Sequence, residues 1–346
     1  MGLIRTLIAW AFMLAIIAFA ALSAGWYWLN SELTKPGPLE AEIVFVVPPG
    51  ESLSAAATRL EAEGVIRDAR TLRLKARMDA DLSGRPIQIR SGEYLLEPGI
   101  SISEVIRILS EGRSILHRIT LPEGRTTAQM LRIIEANEIL TGELPDPLPE
   151  EGTLLPDTYL FHRGMTRQQL IEKMQKAQAD LIEELWPQRQ EGLPFDTPYE
   201  AIILASVVER ETGIAEERGE IAGLFVKRLK RGMRLQSDPT TIYGISRGEP
   251  LYNARGQRRT LYRSEIDTPT DWNTYQIDGL PKTPIANPGR DSIAAVLDPP
   301  DTEYVFFVAD GRGGHLFART LAEHNRNVAA YREYERRTQA QQRGRE

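Results

Sequence analysis

The strongest constraint on this chain lies near its start: from Leu7 to Leu29, 23 consecutive residues carry no charged side chain. At about 1.5 Å of rise per residue, a helix of that length crosses a hydrocarbon layer about 30 Å thick, with every backbone polar group bonded internally. Arg5 precedes the run, and Trp26, Tyr27 and Trp28 stand near its far end. A basic inner flank and an outer aromatic belt orient the N-terminus to the cytoplasm. The competing reading is a cleaved signal peptide with Ala21-Leu22-Ser23 as the cleavage site. The apolar region of a signal peptide is usually shorter than this run. The expectation is therefore a cytoplasmic N-terminus over residues 1–6 and a retained single-pass helix over residues 7–29. The rest of the chain would lie beyond the cytoplasmic membrane.

Composition narrows what that exported part can be. The 346 residues suffice for an anchor and two or three compact modules. With 42% apolar and 26% charged residues the chain reads as globular. A formal net charge of −6 argues against a general nucleic-acid binder, which would carry a basic surplus. The absence of cysteine excludes thiolate catalysis, disulfides and cysteine-ligated metals. His117, His162, His315 and His324 form no HxH or HExxH pattern, so no metal site is expected.

Residues 30–42 are polar, with Pro36, Gly37 and Pro38, and read as a juxtamembrane linker. A pattern then recurs: an apolar strand, a Pro/Gly turn, Ser or Thr, and an amphipathic helix. The copies run Ile43–Val47 with a helix to Glu63, Tyr94–Leu96 with a helix to Glu111, and Ile119–Leu121 with a helix to Ala136. Ser101 with Glu104 and Thr126 with Gln129 fit the capping box. Asn137–Thr153 is aperiodic and reads as a loop or boundary. Helices are expected over Arg167–Leu185, Tyr199–Glu211 and Glu216–Arg231. Met233–Asp298 is crowded with Pro, Gly, Asn, Asp and Thr and reads as a long irregular stretch, ordered by Trp272, Tyr275, Ile277, Leu280 and Ile285. Tyr304–Val308 and Leu316–Ala318 flank a glycine-rich turn and read as a hairpin. Thr320 and Glu323 cap a final helix that decays into a polar tail, 336–346. Strands alternating with helices give small mixed α/β units in an α+β chain.

Three clusters can carry chemistry. Glu209 and Glu211 lie at the end of an apolar helical segment, Ala205–Thr212. At about 100° per residue they project to nearly opposite sides, so they do not form a carboxylate pair. Glu209 follows the stripe Ile202, Ala205, Ser206, where partial desolvation would suit a general acid. Glu211 follows Leu204, Val207 and Val208, and periodicity alone does not choose between the two. In Met233–Gly244, amides, hydroxyls and one carboxylate suit sugar hydroxyls, and Tyr243 suits a pyranose face. The competing reading is a turn built by Asp238-Pro239. Trp272–Tyr275 and Pro284–Gly289 mix aromatics and amides in the same way.

Taken together, ASVVERET, KRLKRGMRLQSDPTTIYG, NTYQIDGLPKTPIANPG and YVFFVADGRGGHLFARTLAEHN resemble the endolytic murein transglycosylases, the YceG-like family. With the upstream Pro156-Asp157-Thr158-Tyr159 and the anchor, the resemblance covers nearly the whole chain. It implies a LysM-like module over 43–115, where Val46–Leu53 resembles the start of a LysM repeat, and a catalytic domain over 116–335 whose essential glutamate matches Glu209. LPKTPI in place of LPPGPI, Trp272 in place of Tyr, and a long basic stretch Arg247–Arg263 depart from the family pattern.

The resemblance implies a lyase that cuts nascent peptidoglycan between MurNAc and GlcNAc and leaves 1,6-anhydro ends, ending strand elongation. Glu209 would act first as acid and then as base. Gln236, Asp238, Thr240, Tyr243, Asn273, Tyr275 and Asn287 would hold the sugars. No metal or organic cofactor is needed. Expected partners are glycan strands and membrane-bound penicillin-binding polymerases at the inner membrane. A non-catalytic peptidoglycan-binding scaffold is the alternative, and a cytoplasmic lyase of small molecules conflicts with the export signal. Retention of the anchor is testable: a C-terminally tagged protein should fractionate with the inner membrane at full length. A soluble form beginning near Ala24 would contradict it.

Overall fold

The computed structural model describes residues 2–343 and divides the chain into two compact units. Met1, at the head of the expected cytoplasmic segment, and residues 344–346 of the expected polar tail lie outside the described residues. The first unit comprises Met1–Arg118 and Leu160–Met165, the second Ile119–Tyr159 and Thr166–Glu346.

The first unit begins with helix α1, Gly2–Thr34, of which Leu7–Thr34 is long and apolar enough to cross a membrane. Most of its large apolar side chains are exposed, as a lipid-facing helix requires. Residues 30–34, expected as linker, are helical. The reason is packing: Leu29 and Leu33, one turn apart, are buried in the core of this unit. The polar connection starts at Lys35 and turns tightly at Gly37. A Cβ there would lie 2.4 Å from the Ile100 carbonyl oxygen and 2.5 Å from that of Val65, so only glycine fits.

Strand β1, Ile43–Val47, is followed by helices α2, Leu53–Ala62, and α3, Ala69–Ser83. Strand β2, Gly92–Leu96, returns antiparallel to β1 with Phe45 opposite Tyr94, and helix α4, Ile102–Glu111, follows. Ser52, Asp68 and Ser101 cap the three helices by accepting backbone N–H bonds. Ser101 makes only half of the expected capping box, because the Glu104 carboxylate pairs with Arg107 instead. Phe45, Leu60, Leu72, Tyr94, Leu96 and Leu109 form a core from which solvent is excluded. Helix α3 escaped the sequence reading because its middle is mostly charged, and only Ala69, Thr71 and Leu72 are buried.

Strand β3, His117–Thr120, pairs with strand β4, Thr158–Phe161, and the chain passes between units within these two strands. Between them lies helix α5, Thr127–Glu135, with the complete Thr126–Gln129 capping box. The second unit continues with α6, Arg167–Leu185, α7, Pro198–Glu211, and α8, Ala215–Lys230. The stretch expected to be irregular holds three short helices: α9, Asp238–Ser246, α10, Arg263–Ile266, and α11, Arg290–Leu297. Asp238-Pro239 does not make an isolated turn; it opens α9, with proline in the first turn, where its missing N–H costs nothing. Strands β5, Phe306–Ala309, and β6, His315–Ala318, form the hairpin, and α12, Leu321–Arg343, closes the described chain. Each sheet has two strands, so the fold is mixed α+β with helices supplying most of the core.

Candidate active site

Helix α7 is the centre of the second unit. Thr197 and Glu200 form a reciprocal capping box, Pro198 occupies the first turn, and Ala201, Ile203, Leu204, Ala205, Ser206, Val207 and Val208 are all buried. It packs against α8 and α11 through Leu204, Val208, Leu224, Phe225, Ile293 and Val296. The helix stops where Thr212 turns extended, so Glu209 and Glu211 both occupy its last turn, on the opposite sides that helical geometry demands.

On one side, Oε2 of Glu209 accepts from the Gly289 N–H at 3.0 Å and from Ser292 Oγ at 2.7 Å. These donors form the N-terminus of α11, where the helix dipole and unbonded N–H groups favour an anion. Glu209 therefore clamps α11 onto α7. Beside it lies Glu123, whose carboxyl is pushed upward by burial and by the charge of Glu209. Gly289 leaves room for it, since a Cβ there would collide with the Glu123 carboxylate. The Arg210 guanidinium donates to the Gly124 carbonyl at 3.0 Å.

On the other side, Oε2 of Glu211 accepts from Ser237 Oγ at 2.6 Å. Burial pushes this carboxyl up to about 7; the Ser237 bond works against the shift and the nearby Asp238 charge adds to it. Asp238 Oδ1 accepts from the Tyr275 hydroxyl at 2.8 Å, and burial with that same charge pushes the Tyr275 hydroxyl upward. The backbone behind is fixed by a small network. Ser237 N–H donates to Thr274 Oγ1 at 3.0 Å, Thr274 pairs with Thr240 at 2.8 Å, and Gln236 N–H reaches the Thr274 carbonyl at 3.2 Å. Gln236 has φ of +52°, a left-handed conformation that a non-glycine residue adopts only where its surroundings enforce it.

The seven residues expected to hold sugars separate into two groups. Gln236 and Asp238 are exposed and Tyr275 is half-buried, and all three sit with Glu211. Thr240, Asn273 and Asn287 are fully buried with their side chains bonded within the protein. Tyr243 is buried too: its hydroxyl donates to Glu151 at 3.1 Å and its ring meets Trp272 edge-on at 5.7 Å. Asn287 is the hub of the interior. Its amide donates to the Arg125 carbonyl, Thr127 Oγ1 and Glu151, while its oxygen accepts from the Leu154 N–H. Ser237, Glu123 and Glu151 were not singled out by sequence reasoning. Ser237 lay inside a recognised cluster, but a serine in a polar run gives no sign that a carboxylate two dozen residues earlier will meet it.

The YceG-like family model matches residues 45–330. The chain is 30% identical to the endolytic murein transglycosylase of Bacillus subtilis (strain 168) over 317 residues, covering 82% of this chain and 83% of that protein. It is 26% identical over 370 residues to the endolytic murein transglycosylase of Streptococcus pneumoniae serotype 2, covering 93% of this chain and 65% of that protein's length. The crystal structure of a YceG-like protein from Listeria monocytogenes shares 26% identity, covers 83% of this chain and 99% of that one, and superposes with a TM-score of 0.47.

The Asn287 hub generates a stability prediction. Asn287→Ala strands the buried Leu154 N–H, at a cost of about 1–3 kcal/mol, and removes one donor from each of the Arg125 carbonyl, Thr127 Oγ1 and Glu151, which keeps its bonds from Thr127 and Tyr243. Thermal or denaturant unfolding of the full chain in detergent should show a loss of about 3 kcal/mol. A loss below about 0.5 kcal/mol would show that the hub does not hold the interior.

Proposed function

The chain belongs to the YceG-like family, and on that premise we propose that it is an endolytic murein transglycosylase, a lyase that cuts peptidoglycan glycan strands between MurNAc and GlcNAc and leaves 1,6-anhydroMurNAc ends. The observation that carries the reading is one carboxyl, Glu211, held near 7 by burial at the end of α7 and flanked by Asp238, Gln236 and Tyr275. The family resemblance matched Glu209 to the proton donor, while helical spacing alone left Glu209 and Glu211 both open. The geometry supports Glu211, because Glu209 is already engaged by two donors of α11.

A carboxyl that titrates near neutral pH can give up and recover a proton within one cycle. Glu211 protonates the glycosidic oxygen and the bond to C1 breaks. The carboxylate then takes the proton of the muramyl 6-hydroxyl as that oxygen closes on C1. Ordinary glycosidases need a second carboxylate to attack or to activate water. Here the nucleophile is part of the substrate, and its effective molarity replaces a second enzyme group. Asp238 raises Glu211 by its charge, the exposed Gln236 amide is open to sugar hydroxyls, and the Tyr275 hydroxyl, which donates to Asp238, keeps an oxygen lone pair to accept from one. Thr240, Tyr243, Asn273 and Asn287 act from behind as positioning residues. The anhydro ring ties up C1, the carbon through which the strand joins the next sugar, so a cut ends elongation there.

Residues 43–115 are proposed as a LysM-like glycan-binding module and 116–335 as the catalytic domain. Helix α1 anchors the chain in the inner membrane with its N-terminus cytoplasmic, which confines the periplasmic domain to strands close to the penicillin-binding polymerases.

Paired variants test the acid. Glu211→Gln should stay folded and lose about 10²–10⁴-fold in the release of anhydro ends. Glu209→Gln, whose amide oxygen still accepts from Gly289 and Ser292, should keep most of it. The reverse pattern would return the role to Glu209.

The pH profile tests the same carboxyl independently. Glu211 must be protonated to begin, so kcat/KM should fall as pH rises through about 7. Asp238→Asn removes a charge that raises Glu211, so it should move that limb to lower pH. A limb near the unperturbed value of about 4.3, or one that does not move in Asp238→Asn, contradicts the assignment.

A further inference from the structure

A cavity of about 1010 Å³ opens beside the end of α7, lined among others by Glu123, Arg125, Arg132, Arg210, Glu249 and Arg258. We propose that Arg125, Arg210 and Arg258 in this cavity bind a carboxylate of the peptide stem borne by the muramyl residue, so that the enzyme selects peptide-bearing over bare glycan. The inference rests on the transglycosylase reading and deepens it by naming a substrate determinant.

The whole chain carries a formal net charge of −6, yet this cavity gathers four guanidiniums against two carboxylates. One pair is satisfied internally, because Arg132 bonds Glu249. Among the described residues, Arg125, Arg210 and Arg258 form no ion pair with any carboxylate. They also face one another: burial lowers the Arg210 guanidinium, the charges of Arg125 and Arg258 lower it further, and the charge of Glu209 offsets part of this. Like charges held close together repel, and an entering anion relieves that repulsion.

Geometry and substrate chemistry agree with this. One N–H of Arg210 is fixed on the Gly124 carbonyl, so the guanidinium is pre-oriented with donors left over for a planar anion. Arg210 occupies the last turn of α7 next to Glu209, whose charge reaches it, so the cavity lies on the Glu209 side of the helix end. The basic stretch Arg247–Arg263, which departs from the family pattern, supplies Arg258. The sugar hydroxyls of a glycan are neutral. Its anions are carried on the muramyl lactyl arm, either as stem-peptide carboxylates or, where the stem has been removed, as the lactyl carboxylate itself. A strand still attached to its lipid also ends in a diphosphate.

The test uses the full-length chain in detergent and lipid-free glycan strands in three forms: peptide-bearing, peptide-bearing with amidated carboxylates, and bare strands with free lactyl carboxylates. Strand binding to the Glu211→Gln protein is measured with and without Arg125→Gln or Arg258→Gln. In parallel, KM and kcat are measured with Glu211 intact. Each arginine change should weaken binding of peptide-bearing strands about 10- to 100-fold, as loss of a charge-assisted bond does, and should raise KM with little change in kcat. Amidated and bare strands should bind the parent and variant proteins alike, at the weakened level. Bare strands that bind as tightly as peptide-bearing ones, and lose it in the variants, would assign the cavity to the lactyl carboxylate and overturn the stem. Arginine changes without effect on any lipid-free strand would overturn it also, leaving the diphosphate. Failure of the parent protein to release anhydro ends from any strand would refute the transglycosylase reading, whereas the binding arms judge the cavity by themselves.

Discussion

Everything at the site depends on the burial of α7. Seven of its residues in sequence, apart from Ile202, are withdrawn from water between α8, α11 and the loops around them. A helix held on so many sides cannot rotate, so the about 100° between successive residues becomes a fixed set of directions in space. Two carboxylates two residues apart are thereby committed to different surroundings. Each buried Leu or Val contributes about 1.5–3 kcal/mol, so displacing the helix to exchange those surroundings would cost many times thermal energy.

The two surroundings differ in what they do to a carboxylate. The N-terminus of α11 offers Glu209 a backbone N–H and a serine hydroxyl, an arrangement that turns a charge into a structural clamp. Around Glu211, burial and the negative charge of Asp238 favour the protonated acid and outweigh the single Ser237 hydroxyl bond, which favours the carboxylate. Two carboxyls two residues apart on one helix thus meet opposite environments, one that favours the charge and one that favours the proton. Behind Glu211, the Ser237–Thr274–Thr240 network and the left-handed Gln236 hold the α9 entrance in place. Such positions cost free energy unless their surroundings over-determine them, and here buried hydroxyls do so.

Much of this was legible in the chain. The apolar run gave the long N-terminal helix, and caps with 3.6-residue periodicity gave α6, α7 and α8 to within a residue or so of their ends. The opposite projection of Glu209 and Glu211 was likewise a matter of arithmetic. What waited in each direction was not. The stripe Ile202, Ala205, Ser206 does lead to Glu209, but the face it marks meets α11, a helix of eight residues too short to show a period. The same lack of period hid α9, whose Asp238-Pro239 start reads equally well as a turn. Asn273, Thr240 and Asn287 looked like sugar ligands because amides and hydroxyls serve both purposes. Only burial separates an amide that grips a substrate from one that ties a loop to its neighbour, and burial depends on contacts as distant in sequence as Asn287 and Leu154.

The central claim is that one carboxyl and the substrate's own hydroxyl complete the cleavage without water. Digestion of peptidoglycan strands in ¹⁸O-labelled water tests it most directly. The account predicts unlabelled 1,6-anhydro ends at the new muramyl termini. Label incorporated at those termini, with reducing ends in place of anhydro rings, would mean that a second group such as Asp238 activates water, and the enzyme would be a hydrolase.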